Sequence, residues 1–392
     1  MTTPRILYIA SSGIRDPLIV SQVIRYLKGL RKWIGACHLL TLERSSFAVG
    51  EEQQIREQLA ERDICWSPLP SFSGKRSINL WREIYAGYRQ AIALVRQHDL
   101  NIIHARSFIP GNIALRVARK TGAKFLYDMR GFWAEEKFAK GTIRWRWMQR
   151  QAQRMEDRIF HTADALVSLT DAGKQHLQNR GIQTPIEVIP CCTDTDLFAW
   201  DGRPKNGLKR MISVGSLGPG YLPSAVFGVY AAAQKLVPDV KLQLLTRTER
   251  SKVDAFARAA GCDPDGIQVT ACSPEEVPGF LAQADVGLCM IEPSFAKTAS
   301  SPTKLAEYFS CGLPAIGNCK DIGDMSEILL ENRTGVDVAP LSDKGYSTAV
   351  ANMLTLLEDE SLSSRCCELA KKRFSLEYGV AAYARVYEQL HS

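Results

Sequence analysis

Short β-rich runs alternate with amphipathic helical segments along this chain, and that alternation leaves few folds open to it. The runs are Arg5–Ala10, Cys37–Leu42, Asn101–His104, Lys124–Asp128, Ala165–Leu169 and Glu187–Pro190. Strands that read as nearly continuous apolar runs are buried on both faces, which a parallel sheet covered by crossover helices requires. The pattern breaks at the polar, turn-rich stretch 194–209 and restarts with Met211–Gly215, Lys241–Thr246, Ile267–Thr270, Val286–Ile291 and Ala315–Asn318. The expected fold class is therefore α/β, with one Rossmann-like parallel-sheet domain over 1–200 and a second over 208–375, facing across a cleft where the strands' carboxyl ends bind ligands. A chain of 392 residues exceeds what one core usually serves, which agrees with two domains. Gly202, Pro204, Asn206 and Gly207 mark the linker. The closing segment repeats Tyr378, Ala382, Val386 and Leu390 on one helical face. Two placements stay open for a helix over 376–392: packed back on the first domain, or ending the second.

Charge is divided unevenly. Residues 1–200 carry 29 Lys/Arg against 19 Asp/Glu and the rest 20 against 23, so the first half is +10 and the second −3. Such a split suits a first domain that faces something anionic, although solubility alone accounts for a modest excess. No apolar stretch approaches a membrane span, and only a five-residue apolar run, Ile6–Ala10, follows Met1–Arg5. A cytoplasmic location, with contact to the inner face of the cell membrane as an option, is the expectation. Eleven cysteines with no Cys-x-x-Cys pair and two adjacent pairs, Cys191-Cys192 and Cys366-Cys367, read as reduced thiols. Neither they nor the six histidines show zinc-ligand spacing, so no metal and no cofactor are expected.

The segment SSPTKLAEYFSCGLP, 300–314, carries chemistry. Ser300, Ser301 and Thr303 can cap a helix whose positive end, with Lys304, suits a diphosphate, and Glu307 one turn on can take a ribose hydroxyl pair. An ordinary capped helix with a solvated Lys and Glu fits the same residues. Upstream, Gly215, Gly218 and Gly220 in GSLGPG let backbone N–H groups approach a phosphate, without the spacing of a dinucleotide fingerprint.

Two similar α/β domains, the stretch VIPCCTDTDLF, the Gly-rich turn and the segment PTKLAEYFSCGLPAIGN together resemble the group 1, or family 4, glycosyltransferases of GT-B fold. The resemblance implies a sugar nucleotide bound to the C-terminal domain, an acceptor bound to the N-terminal one, and transfer with retention and without a required metal. It places the second glutamate of the family's Glu-x7-Glu pair on Glu307, the ribose ligand, and the first on Ala299. The Arg and Lys that hold the diphosphate fall on Ser216 and Leu222, so both charges are missing. Arg247 and Lys304 are the expected substitutes, beside Gly215, Ser216, Gly218, Ser301 and Thr303 in the donor site. The histidine that members place after the fourth or fifth strand falls on Arg130, in FLYDMRGFWAEE. Asp128, Arg130 and His104 are then the candidates for catalysis, with Gly13, Glu135 and Glu136 for the acceptor. A carboxylate there can orient or deprotonate a hydroxyl, and an arginine can bind a phosphate or sugar acid bidentately. An Asp128–Arg130 ion pair that only holds the loop is the competing account. Asp194-Thr195-Asp196 has the Asp-x-Asp form of metal-dependent enzymes of another fold, but its place in the junction makes it a turn.

Arg146, Arg150, Arg154 and Arg158 recur every four residues beside Met148, Ala152, Met155 and Ile159, with Trp145 and Trp147 at the start. Such a helix either lies on an anionic bilayer or packs its apolar stripe in the core. Lys75, Arg76, Trp81 and Arg82 add to the same question. The expected function is transfer of a sugar from a nucleotide-sugar donor to a glycan or lipid-linked acceptor in surface-polysaccharide synthesis, with no nucleic-acid partner. A non-catalytic glycosyltransferase-like scaffold and a GT-B sugar-nucleotide epimerase are the alternatives.

Overall fold

In the computed structural model, which describes residues 3–70, 76–205 and 207–392, the chain forms two units, Met1–Pro190 with Leu376–Ser392, and Cys191–Ser375. Lys75 and Asn206 lie outside the described residues.

The first unit is built on seven parallel strands: β1 (Arg5–Ala10), β2 (Ala36–Leu42), β3 (Cys65–Leu69), β4 (Ile102–Arg106), β5 (Lys124–Asp128), β6 (Ala165–Ser168) and β7 (Ile186–Val188), in the order β3-β2-β1-β4-β5-β6-β7. The chain leaves β1 towards one edge and returns after β3 on the other side, so the order reverses between β1 and β4. That switch point is where open α/β sheets bind ligands. Register aligns the strand ends there: Ala10 pairs with Arg106, and Arg106 pairs with Asp128. β3 is absent from the hydrophobic pattern because it reads CWSPL. Its Pro68 cannot donate to a ladder and is tolerated because β3 is an edge.

The closing helix, Leu376–His391, belongs to this unit. Its Tyr383 and Tyr387 are buried, Tyr383 meeting Tyr26 edge-on with ring centroids 5.6 Å apart. Gly29 lets the helix in, since a Cβ there would come within 2.6 Å of Val380. The Arg146–Thr162 helix turns Ala152, Ile159 and Phe160 inwards and leaves Arg146, Arg150, Arg154 and Arg158 exposed. Its apolar stripe is thus turned to the core, and the arginines and the exposed Trp145 and Trp147 lie on the surface. Glu156 sits on the buried side and accepts hydrogen bonds from the backbone N–H groups of Trp133 and Ala134 at 2.9 and 3.1 Å. It thereby caps the Trp133–Ala139 helix, whose own N-cap residue, Phe132, has no side chain to do so.

The second unit has six parallel strands: β8 (Arg210–Val214), β9 (Lys241–Leu245), β10 (Ile267–Thr270), β11 (Val286–Cys289), β12 (Ala315–Gly317) and β13 (Gly335–Asp337), in the order β10-β9-β8-β11-β12-β13. Its boundary falls ten residues before the expected one at 200. Thr193 donates from its backbone N–H to the Phe374 carbonyl at 2.8 Å and bridges to Ser375, so the entering and leaving segments pair within this unit. Tyr308 ties β8 to β11, its hydroxyl accepting from the Val214 N–H at 3.1 Å and donating to the Leu288 carbonyl at 3.3 Å. Among the described residues no helix is long and apolar enough to cross a membrane.

Candidate functional site

In the second unit the sheet order reverses between β8 and β11, and the turn leaving β8 runs Gly215–Leu222 into the Pro223–Leu236 helix. Gly215 at φ +104° and Gly220 at φ +92° hold backbone that side-chain-bearing residues rarely adopt. Ser216 Oγ accepts from the Gly218 N–H at 2.9 Å and fixes the tip of the turn.

Two ammonium groups reach this turn from segments distant in sequence. Lys304 Nζ lies 4.5 Å above the centre of the Tyr221 ring and 4.0 Å from the position a Cβ on Gly215 would take. Lys297 Nζ lies 3.7 Å from the corresponding position on Gly220. Burial lowers the Lys304 pKa from its ordinary value, while Cys289 and Glu307 act the other way. A cation held half-buried against an aromatic face is strengthened by an anion that arrives and completes its shell. Lys297, in the 3-10 turn Phe295–Ala299, escaped the sequence reading because no periodicity fixes the path of such a turn. Two lysines thus stand at the turn in which Ser216 and Leu222 carry no charge.

The Thr303–Ser310 helix starts without a side-chain cap: Pro302 is its N-cap residue, and the expected capping by Ser300, Ser301 or Thr303 does not form. Ser301 Oγ instead accepts from the Cys191 N–H at 3.2 Å. The helix therefore keeps its N-terminal N–H groups free of a side-chain oxygen, as an anion site needs. Glu307 follows one turn later, half-buried. Arg247 stands exposed just past the carboxyl end of β9, with no hydrogen bond or ion pair among the described residues.

In the first unit the ends of β4 and β5 bring together His104, Arg106, Asp128 and Arg130. Asp128 is 1% exposed, with Oδ1 3.4 Å from Arg130 Nη1 and Oδ2 3.8 Å from Arg106 Nε and 3.7 Å from His104 Nε2. Burial pushes this carboxyl up, but Arg130, His104 and Arg106 together pull harder the other way and hold it well below the usual carboxylate range. His104 is also 1% exposed; its Nδ1 shares a 2.7 Å hydrogen bond with the Tyr387 hydroxyl, and its ring centre lies 4.2 Å from that of Tyr8. Burial lowers its pKa, so the imidazole stays neutral. A carboxylate ionised this firmly is a weak proton acceptor, and an enclosed histidine orients its neighbours instead of meeting a substrate. Arg106 was missed from sequence, although parallel register places it directly beside Asp128.

The three expected acceptor residues have contacts of their own. Gly13 sits in the turn after β1, where a Cβ would approach Glu43 Oε2 to 2.5 Å; the buried Glu43 accepts from the Ile14 N–H at 3.1 and 3.2 Å and holds that turn. Glu135 accepts from Gln149 and Gln153, and Glu136 pairs with Lys140 on its own helix.

Two Rossmann-like units with a glycine turn at one switch point and a charged cluster at the other define a glycosyltransferase of GT-B type. A model of Glycosyltransferase Family 4 matches residues 22–197, and one of Glycosyl transferases group 1 matches 209–357. The chain belongs to this family. No curated protein matches it. Among solved structures, a glycosyltransferase from Rickettsia africae ESF-5 is similar with 17% identity, full coverage of both chains and a TM-score of 0.70. Anabaena Alr3699/HepE in complex with UDP-glucose has 13% identity, 99% coverage of each chain and a TM-score of 0.71. WaaG, a glycosyltransferase involved in lipopolysaccharide biosynthesis, has 14% identity over 97% of this chain and 99% of its own, with a TM-score of 0.68.

Proposed function

We propose that the protein moves a sugar from a nucleotide-sugar donor to an acceptor hydroxyl, with the donor held by the second unit. The observation that carries this reading is the meeting of Lys297 and Lys304 on the Gly215–Gly220 turn. Charge on the leaving diphosphate grows in the transition state, and fixed cations aimed at it act there more than in the ground state. Lys297 and Lys304 stabilise that diphosphate with the N–H groups of the turn and of the uncapped helix, and Glu307 holds the ribose. The structure with UDP-glucose among the fold neighbours supports a nucleotide sugar as the donor class.

The acceptor binds the first unit, where Asp128 orients the guanidinium groups beside it and His104 acts as a positioning residue. The reaction retains anomeric configuration, the leaving phosphate assisting attack on the same face, and needs no metal. The acceptor is a lipid-linked glycan of a surface polysaccharide, a direction supported by the likeness to WaaG and by the exposed arginines of the Arg146–Thr162 helix beside Trp145 and Trp147. That surface suits peripheral contact with an anionic membrane from the cytoplasmic side.

The test is thermal unfolding against UDP, GDP, ADP, CMP and their common sugar conjugates, since a ligand bound only by the folded state raises stability by mass action. A selective rise with one base is expected, followed by release of that nucleotide once an acceptor is added. No rise with any of them overturns the reading in favour of a scaffold without catalysis, and a free epimerised sugar formed without acceptor favours an epimerase.

A further inference from the structure

Two helices of the first unit, Arg76–Gln97 and Phe108–Thr121, meet at Gly87, where a Cβ would come within 2.6 Å of Ile113. Together they line a groove of about 530 Å³, within the range of small-ligand pockets. One wall is aromatic. Trp81, Ile84, Tyr85 and Tyr88 share a helix face by their spacing; Ile84 is 2% exposed, whereas Trp81 and Tyr85 are 55% and 62% exposed. The other wall is basic, with Arg116, Arg119 and Lys120, and no carboxylate among the described residues lines the groove.

Neither wall is used up within the fold. Among the described residues the three rings stack on no other ring and lie under no cation, the Trp81 N–H and the two tyrosine hydroxyls make no hydrogen bond, and none of the three cations meets a carboxylate. Arg116 donates from Nη1 to the Asn112 carbonyl at 2.8 Å and Arg119 from Nη2 to Thr162 Oγ1 at 3.4 Å, which leaves most of both guanidinium forks open. A concave, unpaired set of rings and cations calls for a discrete anionic ligand with flat apolar faces. A helix lying in a bilayer interface presents aliphatic side chains to the acyl layer; here Ile84 is turned inwards, and the exposed rings carry polar tips. Sugar rings fit better. Their C–H faces meet the electron-rich faces of aromatic rings, their hydroxyls pair with the indole N–H and the phenols, and acid groups on the chain accept from the open forks. The basic wall also lies away from the strand ends: Arg119 is about 16 Å along the helix axis from Phe108, which follows β4.

We propose that this groove binds an acidic oligosaccharide, its sugar rings laid on Trp81, Tyr85 and Tyr88 and its acid groups on Arg116, Arg119 and Lys120. It grips a built stretch of glycan on the helix layer, away from the sugar being transferred. That this glycan is the one the enzyme extends rests on the glycosyl-transfer reading; the groove stands without it.

Titration calorimetry with tetragalacturonic acid, and with maltotetraose as its neutral counterpart, tests the groove in the wild type, Trp81→Ala/Tyr85→Ala, Arg116→Gln/Arg119→Gln and Lys304→Ala. The wild type is expected to bind the acidic chain at least ten-fold more tightly than the neutral one, and each double variant to lose at least ten-fold of that affinity with unaltered thermal unfolding. Lys304→Ala keeps it. No binding by the wild type, or unchanged affinity in either double variant, overturns the groove. So does binding of phosphatidylcholine–phosphatidylglycerol vesicles in co-sedimentation, or of oligothymidylate in calorimetry, that the double variants abolish while the oligosaccharide goes unbound, since the surface then serves a bilayer or a nucleic acid. Nucleoside-diphosphate binding without oligosaccharide binding leaves the donor site standing and the groove refuted. Oligosaccharide binding lost in both double variants, with no nucleotide bound by the wild type, upholds the groove and sinks the transfer reading.

Discussion

Lys304 joins the two halves of the donor argument at the scale of single residues: it is half-buried, it lies over Tyr221, and it reaches the turn that the family usually furnishes with its own cations. A hydrogen bond to a charged group is worth about 1.5–3 kcal/mol, so Lys304→Ala should weaken nucleoside-diphosphate binding roughly 10- to 100-fold. Equal affinity in calorimetry would remove this lysine from the site. His104 makes a contrasting case. Tyr387→Phe leaves Nδ1 of a fully buried imidazole without its partner, and a loss of about 1–2 kcal/mol in urea unfolding is expected, with nucleotide affinity unchanged. Lys304 and Glu307 were legible in the sequence because a helix start and a single turn set their spacing. Lys297 and Arg106 were not, the first because it lies in an irregular turn, the second because its partner lies across a strand pair whose register the pattern alone leaves open.

Elements show the same division. Eleven strands follow from apolar runs, because strands buried on both faces leave an unbroken signature. β3 and β13 do not, since a proline breaks the first, the second has Val336 alone between Gly335 and Asp337, and both are edges. Capping of the Trp133–Ala139 helix by Glu156 was also invisible, being a contact between two helices. Burial pushes the Glu156 carboxyl up to about 8 from 4.5, the two helix N–H bonds opposing the rise and Glu135 and Asp157 adding to it. Between those values the folded protein binds more protons here than the unfolded chain, so this group opposes folding increasingly as pH rises through the window. Stability of the wild type should therefore fall relative to Glu156→Gln between about pH 5 and pH 8, as read from urea midpoints at several pH values. Parallel curves would show that the buried carboxyl does not titrate there.

For the whole molecule, the order of elements was enough to place both sheets and the family, whereas the division between units was only approximately readable, because Cys191–Thr193 joins the second unit through backbone pairing with Phe374 and Ser375 and not through composition. The closing helix returns to the first unit, where its tyrosines cover His104. Charge follows the same partition: the basic first half carries the arginine cluster and the exposed arginine face, and the near-neutral second half concentrates two lysines on one glycine turn. That concentration is the central claim. Its most direct test is the dissociation constant, by calorimetry, of the nucleoside diphosphate selected in thermal unfolding, compared between wild type and the double variant Lys297→Ala/Lys304→Ala. A loss of at least 100-fold in a variant with unaltered unfolding is the predicted result. Binding within two-fold of wild type would contradict it and move the diphosphate away from the Gly215–Gly220 turn.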